Sequence, residues 1–114
     1  MSQVPDPHFH LEVVDGVTVV RLVGPKLVLD ASGPLYGLVD EGGHRKLLLD
    51  FAEVRFLSSA ALGVLMGLRQ KVEAAAGELR LCRLDPSLLE LFRLTRLEEL
   101  FEIYDNERNA IAQF

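Results

Sequence analysis

Two adjacent hydroxyls, Ser58 and Ser59, lie between an apolar run ending at Phe51 and another beginning at Ala60. Leu47-Leu48-Leu49-Asp50-Phe51 reads as a buried strand and Ala60-Ala61-Leu62-Gly63-Val64-Leu65-Met66-Gly67-Leu68 as a buried helix, so the serines fall at a helix start. The first backbone N–H groups of a helix lack partners within it and carry partial positive charge. A serine there can cap the helix with its oxygen, or carry a phosphate that the helix end stabilises. One residue type in one place serves both chemistries.

No other reactive side chains form a recognisable set. The chain has neither the G-x-S-x-G turn of a serine nucleophile nor the G-x-x-x-x-G-K-[ST] loop that cradles phosphates, and its carboxylates are scattered without acid/base pairing. Nothing positive supports an enzyme. His8 and His10 share a strand face two residues apart, but no Cys, Asp or Glu completes a metal-ligand set, so no metal or other cofactor is expected. His44, after Gly42-Gly43, reads as a solvated loop residue. Cys82 is the only cysteine and lies in the apolar segment Leu79-Arg80-Leu81-Cys82, which suggests a buried thiol suited to a reducing cytoplasm.

Composition narrows the partners. With 114 residues, 49% of them hydrophobic, the chain fits a single domain over 1–114 that needs no disulfide or metal. Twelve Lys+Arg against seventeen Asp+Glu give a net charge of -5, with none of the clustered cations that nucleic acid requires. The longest uncharged apolar run, Ala60 to Leu68, is far short of the roughly 20 residues that span a bilayer. A cytoplasmic protein without direct membrane insertion is expected.

The elements that must position the serines follow from the pattern along the chain. Asp15-Gly16 between Phe9–Val14 and Val17–Val23 predicts a hairpin with a type I′ turn. Lys26–Leu29 is a short extended piece leading to a helix within Asp30–Glu41, capped by Asp30, Ser32 or Gly33, the last two placing Pro34 in its first turn. A buried strand at Lys46–Phe51, a helix from Ser59 to about Ala76 and a strand at Glu78–Arg83 follow. Asp85-Pro86 marks another helix start, bearing the stripe Leu88, Leu89, Leu91, Phe92 and Leu94. Thr95-Arg96-Leu97-Glu98 has capping-box spacing, Phe101–Tyr104 is the last strand, and Asp105 opens a terminal helix through about Gln113. These predict an α/β fold: a mixed, mostly parallel sheet of about five strands with helices packed on it. Gly63 and Gly67, one turn apart, permit close backbone approach, usually of helix to sheet.

The run from Leu48 to Leu65, LLDFAEVRFLSSAALGVL, resembles the signature of STAS domains of the anti-sigma factor antagonist type. Leu29-Asp30, Gly77-Glu78-Leu79, Leu88 to Leu97 and Leu100 to Asp105 fall where that family has similar residues, so the resemblance covers nearly the whole chain. It implies a binding module whose partner is an anti-sigma factor with an ATPase-like kinase fold. Phosphorylation of one serine at the start of this helix weakens that complex in the family's usual cycle. The partner-binding positions it implies are Asp30, Ser58, Ser59, Ala60, Ala61, Leu62 and Gly63.

The chain departs from the family at one residue. The usual motif is Asp-Ser-Ser-Gly-Leu-Gly with the phosphoserine just before the first Gly; here Ser58 replaces the aspartate, Ser59 matches the first serine and Ala60 takes the acceptor position. Three readings stand: an acceptor shifted to Ser59 or Ser58, a constitutive antagonist, or a non-switching STAS subunit of a signalling scaffold or lipid-transporter complex. Plain helix capping accounts for both serines without modification.

Overall fold

The hairpin at Asp15-Gly16 forms as predicted: β1 (Phe9–Val14) and β2 (Val17–Leu22) pair antiparallel with Val14 opposite Val17. Asp15 at φ 52° and Gly16 at φ 79° supply the two positive angles of the turn. The structure, a computed structural model, describes residues 8–27 and 33–114.

Beyond β2 come β3 (Lys26–Leu27), α1 (Gly33–Asp40), β4 (Lys46–Asp50), β5 (Phe56–Leu57), α2 (Ser59–Ala74), β6 (Glu78–Cys82), α3 (Pro86–Leu94), a 3-10 turn at Leu97–Glu99, β7 (Glu102–Tyr104) and α4 (Glu107–Ala112). The main sheet runs β1-β2-β4-β6-β7, with β2, β4, β6 and β7 mutually parallel and β1 antiparallel to them. Parallel neighbours need crossovers, and α1, α2 and α3 lie in those crossovers.

Alternation along the central strands sorts two cores. Leu47, Leu49 and Leu81 join Leu35, Leu65, Leu68 and Phe92 of α1, α2 and α3 in the larger one. Val17, Val19, Leu48 and Cys82 face the other way, with Ala110 of α4. Cys82 is buried as expected, and burial pushes its thiol up to about 12.

Several boundaries differ from the sequence reading. α1 falls inside the expected range, beginning at Gly33 with Pro34 in its first turn, while Asp30 and Ser32, two of the caps considered, lie outside the described residues. α2 ends at Ala74, two residues short of the expected Ala76, and Ala76 itself takes the left-handed conformation with φ 57°. The spacing Thr95 to Glu98 makes no capping box: the Thr95 hydroxyl donates to Leu91 O at 2.6 Å, and Arg96, without a side-chain cap, precedes the 3-10 turn. α4 is capped by Asn106, whose Oδ1 accepts from Asn109 N at 2.8 Å, rather than by Asp105. His44 is half-buried, its Nδ1 2.7 Å from Thr18 Oγ1, instead of solvated.

Candidate functional site

The segment between β4 and α2 is tied down at each step. Asp50 Oδ1 accepts from Ala52 N at 2.8 Å, and Val54, fully buried, donates its N–H to Phe51 O at 2.9 Å. Pro25 O accepts from both Arg55 N (2.7 Å) and Phe56 N (3.1 Å). Gly24 allows this approach, since a Cβ there would sit 3.1 Å from Glu53 O and 3.3 Å from Val54 Cα. Phe56 and Leu57 then pair in parallel with Lys26 and Leu27, which fixes the chain just before Ser58.

Ser58 is the N-cap of α2. Its backbone is extended (φ -77°, ψ 159°) and its Oγ accepts from Ala61 N at 3.0 Å, so that hydroxyl oxygen already serves the helix. Ser59 is the first helical residue and is exposed, as is Ala60. Ala61 is fully buried in the larger core and Leu62 packs half-buried against it. Gly63 is exposed, with open space where a Cβ would stand. Ser59, Ala60 and Gly63 therefore share one outward face at helical spacing. Asp30, the remaining sequence-derived position, lies outside the described residues.

The glycine expectation needs correcting at Gly63. Of the two, Gly67 is the close-approach site, and the neighbour is Tyr36 of α1 rather than the sheet: a Cβ at Gly67 would overlap the Tyr36 hydroxyl.

Two features escaped the sequence reading. Phe56, directly before the serine turn, is 65% exposed and adds an aromatic ring to the segment that leads into that turn. The other is an ion-pair chain at the ends of the parallel strands. Buried Asp50 accepts from Arg83 Nη2 at 2.6 Å and Nε at 3.0 Å; Glu107 Oε2 lies 3.5 Å from Arg83 Nη2. Arg21 grips Glu107 through Nε and Nη2, both at 2.9 Å, and reaches Glu12 at 2.6 Å. Burial raises the Asp50 carboxyl while its Arg83 partner pulls against the rise. The Arg21 guanidinium holds Glu107 down, to about 2. This chain links the loop that presents Ser58 to β2, β6 and α4. An aspartate ending a buried strand was the one sequence signal for it.

Among the described residues no three His, Cys, Asp or Glu side chains gather as metal ligands, and no helix is long and apolar enough to cross a membrane. The geometry offers a firmly held surface of small side chains beside an aromatic ring, with one exposed hydroxyl at a helix start.

The family model for the STAS domain matches residues 8–110. An anti-sigma F factor antagonist of Paenibacillus polymyxa is 30% identical over 102 residues, covering 86% of each chain. The crystal structure of an anti-sigma factor antagonist from Mycobacterium paratuberculosis superposes with a TM-score of 0.77 at 24% identity, covering 96% of this chain and 97% of that one. The Bacillus cell fate determinant SpoIIAA in its phosphorylated form gives 0.69 at 24% identity, covering 92% and 97%.

Proposed function

Since this chain belongs to the STAS domain family, and by homology to its anti-sigma factor antagonists, we propose that it binds an anti-sigma factor of the ATPase-like kinase fold through the start of α2, without the family's usual phosphoserine switch. The contact surface is Phe56, Ser59, Ala60 and Gly63, with Leu62 at its buried margin and Asp30 as a further position carried over from the resemblance. Ser58 and Ala61 act beneath it, one capping the helix and the other seating it in the core. The protein works by contact, in the cytoplasm, and changes no bond of its partner.

One observation carries this reading: position 60 is exposed on the presented face and bears a methyl group. A serine there would offer its hydroxyl to a docked kinase; alanine offers nothing to phosphorylate. Phosphorylation would add about -1.5 to -2 charges and its hydration shell to a surface of small residues, enough to part a well-packed interface. Alanine leaves the complex on, so antagonism is governed by the amounts of the two proteins.

Incubation with the purified kinase-type anti-sigma factor and ATP, read by intact mass, tests this. The wild type forms a complex and gains no phosphate, whereas Ala60→Ser gains one and loses affinity. Phosphate on wild-type Ser59 would replace this reading with a shifted acceptor. Failure of both proteins to bind would favour the scaffold or transporter-subunit reading.

A further inference from the structure

We propose that β1 is the seam of a homodimer in which two copies of this strand pair antiparallel about a two-fold axis at Leu11. β1 is one edge of the five-stranded sheet among the described residues. Its six residues, Phe9-His10-Leu11-Glu12-Val13-Val14, contain no Lys, Pro or Gly, residue types that commonly blunt an edge, and its one carboxylate, Glu12, is already neutralised by Arg21 at 2.6 Å. The opposite edge, β7, is three residues long and begins with Glu102. Leu11 is 48% exposed and Val13 64%, although both lie on the sheet face that α1, α2 and α3 cover elsewhere.

The register decides which backbone groups point outward. Val23 donates its N–H to His8 O at 2.8 Å, so these facing residues form a hydrogen-bonded pair one step beyond Phe9 and Leu22. Alternation along an antiparallel ladder then makes His10:Arg21, Glu12:Val19 and Val14:Val17 the bonded pairs. Phe9, Leu11 and Val13 accordingly turn their N–H and C=O groups away from β2, toward the open edge.

A second β1 meets those groups in register when Leu11 faces Leu11. Phe9 of each copy then faces Val13 of the other, with two N–H···O=C bonds per facing pair. The same register sets His10 opposite Glu12 at both ends of the seam, a complementary polar pair on one face, while the two Leu11 side chains meet on the other. Read outward from Leu11, the strand is complementary to itself: imidazole on one side, carboxylate on the other, apolar residues beyond both. That self-complementarity selects a second copy over a foreign strand. Edge pairing of this length falls in the small class of interfaces, so the dimer is weak and concentration-dependent.

Light scattering or sedimentation from roughly 10 µM to 1 mM should show the apparent mass doubling, a range suited to a small interface. Leu11→Lys should abolish that rise without moving the thermal midpoint. Leu11→Cys should cross-link under mild oxidation, because residues facing each other in a bonded pair have Cα atoms about 5.5 Å apart, within disulfide reach. Val13→Cys should not, since Val13 faces Phe9. Cys82 is buried and is the chain's only native cysteine, so it does not compete. Mass that stays monomeric to the top of the range overturns the proposal and leaves the edge to a strand from another protein. Cross-linking as fast at position 13 as at 11, or a dimer that survives Leu11→Lys, overturns it by placing the contact elsewhere. If Leu11→Lys fails to fold, the two cysteine variants decide.

Discussion

The Tyr36 hydroxyl donates to Val64 O at 3.0 Å and lies directly over Gly67, so α1 and α2 meet where one helix lacks a side chain. A methyl at Gly67 must push Tyr36 aside, whereas a methyl at Gly63, one turn earlier, enters open space. Gly67→Ala is expected to destabilise the fold by about 1–3 kcal/mol through overpacking. Gly63→Ala is expected to stabilise it by up to about 1 kcal/mol, the helix-propensity gain of alanine at an exposed position. Urea midpoints check both. A double-mutant cycle with Tyr36→Leu should recover most of the Gly67→Ala cost; additive costs would acquit the tyrosine.

Ser58 and Ser59 are adjacent but differ in what they hold. Ser58 Oγ satisfies Ala61 N, while Ser59 is exposed on the first turn. Ser58→Ala is expected to cost about 0.5–2 kcal/mol as a lost cap, and Ser59→Ala less than about 0.5 kcal/mol. Thermal unfolding of the two single variants is sufficient. Equal losses would mean that the serines share the cap.

What sequence could and could not reveal divides along physical lines. Leu47 to Asp50 and the helix from Ser59 were readable because continuous apolar runs were bounded by residues that end or cap elements, and Asp85-Pro86 declared α3 for the same reason. The family resemblance located the serine turn and singled out Ala60. Pattern could not choose between Gly63 and Gly67, since both lie on one side of α2 and the difference is where α1 crosses it. Nor could it reveal β5, whose two residues become a strand only because Lys26 and Leu27 lie alongside. The Asp50–Arg83–Glu107 chain joins residues from three distant segments, and no local spacing encodes it.

If the start of α2 is the docking surface, Phe56 is its largest exposed apolar group. Phe56→Ala should weaken the complex with the anti-sigma factor by about 1–3 kcal/mol, as loss of an aromatic anchor does, while leaving the fold intact. Ser59→Asp should weaken it too, and Ser59→Ala should not. Calorimetric titration of the three variants against one partner preparation separates these outcomes. Affinities indistinguishable from wild type across the set would move the interface away from this turn.

Glu107 fastens α4 to the sheet through charge, and that fastening should respond to acid. Its carboxyl is held at about 2, chiefly by Arg21, against an ordinary value of 4.5. A depressed carboxylate contributes its full stabilisation above the unfolded value, and the contribution drains as pH falls from 4.5 through about 2. Asp50 acts in the opposite sense: burial raises its carboxyl, so its share fades as pH rises past 3.8. Glu107→Gln removes the first contribution and keeps a side chain of similar shape. The gap in urea midpoint between wild type and Glu107→Gln should be widest above pH 4.5 and narrow toward pH 2, where wild-type Glu107 is increasingly neutral. A gap that stays constant across this window would assign the hold on α4 to shape and hydrogen bonding, because only the charge changes over that range.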